Sequence, residues 1–297
     1  MRVATFALSD SMIAAALRTQ AKVADYQVQS ASGEVSGDFG GLGVNAKKVV
    51  DLQVSIAQSK AYSDAASSAD DRVQAMYSAT GSIVDMLTSY KSQLTGALSA
   101  SSDTETLAAS AQSLLEEVGS ELNTQYGGRY LFGGSQTETA PVDLSSYPDA
   151  SATGSDTSYY QGNDEIASVK VSDSQTVAYG VTADSTGFEQ ALRSLSMIAN
   201  ATSLDSDTIN SALDLATSAL NTVTGIQATL SLKSSQLENA VSNQQDYQDY
   251  ASSLSSSLTD VDVASVTAKI STYQAQLEAS YSALSKVLSL RLSDYLK

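Results

Sequence analysis

The residue types that most often carry enzyme chemistry are absent from this chain of 297 residues, or stand without the partners they need. With no His and no Cys, the chain lacks the commonest general base, the commonest zinc ligands and any thiol nucleophile. Ser is abundant, but no G-x-S-x-G nucleophile elbow and no G-x-x-x-x-G-K-[ST] phosphate loop occurs. We therefore predict that the protein is not an enzyme and that it binds no cofactor and no metal ion.

Paired carboxylates and tyrosines are the remaining candidates for chemistry. Neither Asp205-x-Asp207 nor Asp260-x-Asp262 continues into an EF-hand calcium loop, so we interpret both pairs as helix caps. The pair Asp70–Asp71 stands inside a long helical pattern and is most simply a solvated face. Four tyrosines at helical spacing in an acidic chain indicate an interface with wet hydroxyls rather than a platform for bases or sugars: Tyr247, Tyr250, Tyr273 and Tyr281.

The charge of the chain limits its partners. Lys and Arg number 16 against 33 Asp and Glu, a formal net charge of −17, and the basic residues are dispersed. Phosphate backbones and anionic lipid surfaces attract clustered basic residues, so we predict neither nucleic acid nor membrane as a partner. No apolar run of membrane-spanning length and no secretory signal pattern occurs. The absence of Cys fits either a reducing compartment or export through a channel in an unfolded state.

Helix-breaking residues are concentrated in two stretches. Thirteen of the 17 glycines lie within residues 33–43 or 127–187, and both prolines lie in the second stretch. Elsewhere apolar residues recur every three or four positions, which predicts a mainly α-helical fold. We expect a long antiparallel helical bundle or coiled coil with paired N- and C-terminal helices and a small β-rich insertion. The predicted segments are an N-terminal helix and hinge (1–45), long helices (46–129), the small β-rich insertion (130–185), returning helices (186–259) and a C-terminal helix (260–297).

The apolar stripes, the glycines and the capping residues give approximate helix ends. We expect the first helix from about Ser9 to Val35 and the second to end near Ser99, with Ser102–Asp103 capping the third. The pair Gly127–Gly128 is interpreted as the glycine stop of that third helix. The pattern Thr186-x-x-Glu189 predicts a capping box at the start of the next helix.

Within the insertion, the period changes from helical spacing to alternation. This change predicts short strands between turn residues. The two alternating runs are Ile166, Val169 and Val171, then Val177, Tyr179 and Val181.

Both ends of the chain carry an apolar stripe that nothing inside the molecule is large enough to cover, except the other stripe. The C-terminal stripe repeats its spacing over eleven residues, which keeps it on one side of a nearly straight helix. We predict that the end helices pair, pack against neighbouring subunits and are mobile in the free monomer. The predicted interface residues are Val266, Ile270, Tyr273, Leu277, Tyr281, Leu284 and Leu288 in the C-terminal helix, and Val3, Phe6, Ile13, Leu17 and Val28 in the N-terminal helix.

The stretch GGRYLFGGSQTETAPV (Gly127 to Val142) resembles the hallmark of the flagellar hook-filament junction family, hook-associated protein 3, which is related to flagellin. Tyr160 to Val181 is similar to the insertion strands of that family, and Leu277 to Leu296 to the terminal helix shared with flagellin. Residues 32–48 depart from the flagellin signature S-S-G-x-R-I-N-S-A-x-D-D-A-A-G, which makes plain filament flagellin a weaker match. The motif residues are Gly128, Arg129, Tyr130, Phe132, Gly134 and Pro141.

The resemblance implies a structural adaptor of the bacterial flagellum that is exported unfolded through the flagellar type III apparatus and acts outside the cell. Its implied partners are other copies of itself, flagellin, the hook-side junction protein and an export chaperone. In the family, the chain ends form an inner coiled coil and the β insertion faces outward. Two alternatives remain open: a flagellin-type filament subunit, and a chemoreceptor-like signalling rod, in which no β insertion is expected.

Overall fold

The computed structural model of the chain describes residues 2–99, 104–145, 147 and 154–289, and for residues 2–6, 8, 104, 288 and 289 it describes the backbone alone. The chain divides into two compact units: unit 1 consists of Met1–Ala57 and Gln248–Lys297, and unit 2 of Gln58–Tyr247. The predicted fold class is confirmed, because the described residues form six α-helices and two small antiparallel hairpins. No helix among them is both long enough and apolar enough to span a membrane.

Unit 1 brings the two ends of the chain together. Helix α1 (Arg2–Ser32) packs along helix α6 (Val263–Ser289), and a 3₁₀ helix (Phe39–Asn45) follows α1. Unit 1 also contains the first residues of helix α2 (Ala46–Ser99) and the last residues of helix α5 (Ser206–Thr259). The predicted pairing of the terminal helices is therefore present within one chain.

The first helix begins and ends earlier than predicted. It starts at Arg2, so Ser9 is an interior residue. At its other end Gly33 has a φ of 77°, a conformation that favours glycine, and its N–H donates to the carbonyl of Gln29 at 2.9 Å. The helix therefore ends at Ser32 and does not reach Val35.

Unit 2 is a helical bundle in which α2 and α5 run antiparallel. The hydroxyl of Ser59 on α2 donates to the carbonyl of Gln244 on α5 at 2.9 Å. Further along α2, the carboxylate of Asp70 accepts a hydrogen bond from the hydroxyl of Ser234 at 2.6 Å. The residue numbers of the bonded partners fall on α5 as they rise on α2, so the two helices run in opposite directions.

Two shorter helices complete the bundle: α3 (Thr104–Leu122) and α4 (Thr186–Ala199) pack against each other. The buried hydroxyl of Tyr90 on α2 donates to the carbonyl of Ser194 on α4 at 2.9 Å. The hydroxyl of Ser194 in turn donates to the carbonyl of Ala212 on α5 at 2.7 Å. Because each of these buried polar groups has a partner, the helices can pack closely without leaving an unpaired donor.

The first hairpin corrects the interpretation of Gly127–Gly128 as a helix stop. Helix α3 ends at Leu122, and the two glycines join strands β1 (Gln125–Tyr126) and β2 (Arg129–Tyr130). Their φ angles of 59° and 76° are those of a type I′ turn, the two-residue turn that matches the twist of antiparallel strands. The glycine pair is therefore required by the hairpin, several residues beyond the end of the helix.

The second hairpin confirms the predicted strands in their central part. Strands β3 (Ser168–Lys170) and β4 (Thr176–Ala178) are antiparallel, and Val169 lies opposite Val177. Val177 is buried and Val169 is half-buried, as alternation requires, whereas Ile166 lies outside the strand and is exposed.

The capping box predicted for Thr186 and Glu189 is wrong. Ser185 is the N-cap of α4, and its side chain makes no capping hydrogen bond. Glu189 is buried, pairs with Arg193 at 2.9 Å and accepts the N–H of Asp156 at 3.0 Å. Because its carboxylate is held by these partners, it does not reach back to the helix start.

The carboxylates interpreted as caps do cap helices at two positions. Asp205 accepts the N–H of Thr208 at 2.8 Å at the start of α5, and this bond lowers the pKa of Asp205. Asp262 accepts the N–H of Ser265 at 3.1 Å at the start of α6. The caps predicted for α3, Ser102–Asp103, lie outside the described residues.

Candidate assembly site: the paired terminal helices

The side of α1 that faces α6 is built from small and moderately apolar residues. Its buried and half-buried positions recur at spacings of four and three, as in a coiled-coil seam. They include Met12, Ala16, Thr19, Val23, Tyr26 and Ser30. Small side chains bury little apolar area per residue, so the seam by itself stabilises the pair only modestly.

The facing side of α6 follows a seven-residue repeat. Its buried and half-buried positions include Val266, Ile270, Tyr273, Leu277, Ser280, Leu284 and Val287. The predicted eleven-residue repeat is therefore wrong beyond Leu277, where Ser280 and not Tyr281 lies on the seam. Two helices that wrap around each other keep a seven-residue repeat facing the partner, whereas an eleven-residue repeat suits a nearly straight helix. The side chain of Leu288 lies outside the described residues.

Two tyrosines mark the middle of the seam. The rings of Tyr26 and Tyr273 are stacked, with centroids 5.7 Å apart and planes inclined by 13°. The ammonium group of Lys22 on α1 lies 5.4 Å from the ring centre of Tyr273, and that of Lys269 on α6 lies 5.5 Å from Tyr26. Each lysine thus contacts the tyrosine of the opposite helix in a cation–π arrangement.

The predicted N-terminal stripe does not lie on this seam. Ile13, Leu17 and Val28 are 41%, 59% and 66% exposed, and Tyr281 of α6 is 47% exposed. The expectation that the two stripes cover each other is therefore wrong for α1, because smaller residues occupy the seam and leave the larger ones outside. The side chains of Val3 and Phe6 lie outside the described residues.

Backbone hydrogen bonds tie the inner ends of the two helices together. The N–H of Val35 donates to the carbonyl of Thr259 at 2.6 Å, and the N–H of Val261 donates to the carbonyl of Gly33 at 2.9 Å. These bonds flank an antiparallel bridge between Glu34 and Asp260. The turns after α1 and before α6 are therefore held side by side, which sets the register of the paired helices.

The glycine-rich hinge contains the 3₁₀ helix and carries exposed apolar residues. Asp38 caps the 3₁₀ helix by accepting the N–H of Gly41 at 2.8 Å, and Gly43 breaks the helical conformation at a φ of 56°. Leu42 is buried, whereas Phe39 and Val44 are exposed. The hinge thus adds apolar surface to that of α1 within unit 1.

Most residues of the family motif form turns, hydrogen bonds or packing contacts inside unit 2. Gly128 lies in the type I′ turn and Tyr130 in β2, with its N–H bonded to the carbonyl of Thr137 at 2.9 Å. Phe132 is buried and packs edge-on against Phe188, with ring centroids 5.8 Å apart. These contacts fasten the hairpin to α4.

The end of the motif closes the loop that follows the hairpin. Gly134 has a φ of 68°, and a side chain there would collide with the backbone of Asn163. The carbonyl of buried Pro141 accepts the N–H of Gln161 at 2.9 Å. Arg129 differs from the other motif residues because its side chain is exposed.

Three features of the structure are not predicted by the sequence patterns. Asp70 is buried and accepts hydrogen bonds from Ser234 and Gln74, each at 2.6 Å, so its interpretation as part of a solvated face is wrong. The buried Glu189–Arg193 ion pair lies at i,i+4, a spacing that also occurs on solvated helix surfaces. The contact between Tyr26 and Tyr273 joins residues far apart in sequence, and no local pattern announces it.

The described residues contain no cluster of three or more acidic side chains placed to hold a metal ion. Burial is the main cause that raises the pKa of four tyrosines of unit 2: Tyr90, Tyr147, Tyr159 and Tyr160. The pKa of Tyr160 rises to about 12. Tyrosines of this kind remain protonated at neutral pH and serve packing and hydrogen bonding.

Paired terminal helices, an antiparallel helical bundle and two small hairpins define a mainly α-helical protein. The bacterial flagellin N-terminal helical region matches residues 3–137, and the bacterial flagellin C-terminal helical region matches residues 213–296. Together these regions cover most of the chain, which therefore belongs to the flagellin family, a family of flagellar structural proteins. The relationship to flagellin inferred from the sequence is confirmed.

Solved structures of hook-associated proteins share the fold. A protein described as a flagellar hook-associated protein from Vibrio parahaemolyticus aligns over 75% of this chain and 99% of its own, with a TM-score of 0.61 and 15% identity. The flagellar hook-associated protein-3 of Legionella pneumophila aligns over 70% of this chain and 98% of its own, with a TM-score of 0.56 and 16% identity. No curated protein sequence matches the chain.

Proposed function

We propose that this protein is an axial component of the flagellum that joins the hook to the filament through helical packing of its subunits. The observation that carries this proposal is the apolar surface on the outside of the terminal helix pair. Ile13, Leu17 and Val28 stay exposed although α1 already has a partner helix. Large aliphatic residues on a helix that is already paired favour burial against a further surface.

The free energy available from that burial suits assembly. Fully burying a large aliphatic side chain contributes about 1.5–3 kcal/mol, so a few such residues per subunit, repeated around a ring, hold copies together. On the other helix Tyr281, which the sequence predicts as an interface residue, is exposed as well. The net charge of −17 opposes association, so apolar contacts must outweigh this repulsion.

Two observations favour a junction protein over a filament subunit. The motif from Gly128 to Pro141 resembles the junction family, and the hinge at residues 32–48 lacks the flagellin signature. The proposed neighbours are flagellin on one side and the hook-side junction protein on the other. Export in an unfolded state to the outside of the cell, with the help of a chaperone, agrees with a chain free of Cys. We further propose that the protein has no catalytic activity, no cofactor, and no nucleic acid or membrane partner.

Deleting the gene and imaging the cells tests the junction role. We expect hooks that carry no filament and flagellin shed into the medium, with filaments restored by the full-length gene. Normal filaments in the deletion strain would contradict the role. The alternative of a filament subunit is tested by abundance, because a junction protein is scarce in sheared filaments whereas a filament subunit dominates them.

Removing residues 266–297 tests the assembly surface. The truncated protein should remain soluble and largely helical by circular dichroism, since unit 2 keeps its own buried core. It should no longer enter the axial structure when it is expressed in the deletion strain. Normal assembly of the truncated protein would show that the terminal helices are not the interface.

A further inference from the structure

An open groove of about 270 Å³ lies between strand β4 and helix α5 in unit 2. One wall is β4 with its neighbouring residue Gln175, and the other wall is the stretch of α5 from Lys233 to Asn243. The sequence patterns assign no role to this groove. Its walls are mostly polar, and no aromatic ring lines it.

The strand wall offers unused backbone hydrogen-bonding groups. Bonds from Val171 N–H to the Gln175 carbonyl and from Tyr179 N–H to the Ala167 carbonyl identify the residues of the hairpin that pair across the strands. In an antiparallel pair such residues alternate with residues whose N–H and C=O point outward. The outward residues of β4 are therefore Thr176 and Ala178, and both are exposed. This edge of the hairpin is a template for one more strand.

The helix wall presents side chains that suit an extended peptide. Gln236, Asn239 and Asn243 line the groove with amides, each of which both donates and accepts hydrogen bonds. Lys233 places a positive charge at one end. A sugar-binding site would be expected to supply an aromatic ring, which the lining lacks, whereas a peptide backbone needs only paired donors and acceptors.

We propose that this groove binds the segment Asp164–Ser168 of a second copy of the chain, which adds to β4 as an extra strand. Asp164, Glu165 and Ile166 are consecutive exposed residues. They precede β3 without forming a helix. The two carboxylates complement the charge of Lys233. Ile166, 44% exposed in one copy, gains a partly apolar surface that includes buried Ala240 in the next.

The two edges match in their spacing. The alternation that directs Thr176 and Ala178 outward on β4 also directs Ile166 and Ser168 outward on the other edge of the hairpin. Each edge therefore offers donors and acceptors at every second residue. The segment and the groove are different surfaces, so the contact is head-to-tail, and such contacts build rings or helical arrays rather than closed dimers.

This inference rests on the proposed self-assembly, and a disulfide experiment separates the two. The chain has no Cys, so any disulfide formed by single-cysteine variants joins two copies. Full-length Glu165→Cys and Asn239→Cys proteins are mixed, assembled and oxidised. We expect a mixed disulfide dimer in the mixture and none with either variant alone. The matched control replaces Asn239→Cys by Ser242→Cys, an exposed position of α5 that does not line the groove.

A second variant blocks the strand edge without breaking the hairpin. Ala178→Pro removes an N–H that points away from β3, so the bonds between β3 and β4 remain. When Ala178→Pro is added to the Asn239→Cys protein, we expect its mixed disulfide with the Glu165→Cys protein to be lost.

Three outcomes would count against the inference. Copies that assemble normally but give no more disulfide than the Ser242→Cys control would overturn it and leave the proposed function standing. A disulfide from Asn239→Cys to flagellin, engineered with scanning cysteines, would also overturn it by naming another occupant. Failure of the unmodified protein to assemble would overturn both.

Discussion

The rings of Tyr26 and Tyr273 stack across the terminal helix pair with their centroids 5.7 Å apart, although 246 other residues separate them in the chain. Lys22 and Lys269 each extend over the ring of the opposite helix. Elsewhere the seam holds aliphatic residues such as Ile270 and small residues such as Ala16 and Ser280. The tyrosine pair is therefore a specific contact of the described seam, and its stacked geometry favours the alignment that the backbone bonds near Gly33 and Val261 also support.

The first prediction concerns this pair. Tyr26→Leu and Tyr273→Leu should each weaken the pairing of α1 with α6, and a double-mutant cycle should give a coupling of about 0.5–1.5 kcal/mol. Hydrogen exchange of the α6 amides measures the effect as a free energy of local opening. Tyr250→Leu is the control, because Tyr250 is an exposed tyrosine of α5. Additive single effects, with no coupling, would contradict a direct contribution of the stack.

The second prediction separates assembly from folding. Changing Ile13 and Leu17 together to Ser should leave the free energy of unfolding of the monomer within about 0.5 kcal/mol, because both side chains are already exposed. The same change should strongly reduce incorporation into the axial structure. Val23→Ala, on the buried side of α1, should instead reduce protection of the helix pair in the free protein. If the Ile13 and Leu17 variant assembled as well as the unmodified protein, the outer face of α1 would not be an interface.

The third prediction tests the internal role of the family motif. Phe132→Ala should lower the free energy of unfolding of unit 2 by about 3–5 kcal/mol, because it removes a buried ring packed against Phe188. Arg129→Ala, only three residues away and exposed, should change it by about 0.5 kcal/mol or less. Urea denaturation of both variants provides the comparison. Equal effects would mean that the motif does not act through the packing of Phe132.

The fourth prediction concerns alkaline pH. The pKa of Tyr160 is raised from 10.0 to about 12, mainly by burial, so the folded state keeps this proton after the unfolded state has lost it. At pH values below the pKa of Tyr160 in the unfolded state, this residue does not make the free energy of unfolding depend on pH. That free energy should then fall as pH rises from about 10 to about 12. Urea midpoints across this range, followed together with tyrosinate absorbance, measure the effect. Tyr160→Phe should make the decline shallower, and an unchanged slope would contradict the assignment.

The periodicity of apolar residues and the positions of glycine and proline predict most of the fold. Three- and four-residue spacing predicts the long helices, glycines and prolines mark the insertion, and alternation marks β3 and β4. These signals succeed because they record local preferences that the bundle does not override. Gly127–Gly128 shows where local reasoning fails: a glycine pair suits both a helix end and a type I′ turn, and pairing of β1 with β2 decides between them.

The candidate interface was harder to predict, because apolar residues alone do not say which side of a helix meets which partner. On α6, five of the seven predicted residues lie on the intramolecular seam, so their burial is already accounted for within one copy: Val266, Ile270, Tyr273, Leu277 and Leu284. On α1, the larger residues Ile13 and Leu17 lie outside the seam and Ala16 lies on it. Close approach of two helices favours small residues at the contact, and hydropathy patterns rank such residues low.

The bond between Ser59 and Gln244 joins the two places at which the chain leaves unit 2. Bringing together the two ends of a loop of nearly two hundred residues costs conformational entropy. When the middle of the chain is folded, this entropy is already lost, and pairing of the terminal helices does not lose it again. The terminal segments then start out as close neighbours, at a high effective concentration for each other. Folding of the middle of the chain therefore favours pairing of the terminal helices, because it raises the effective concentration of each for the other.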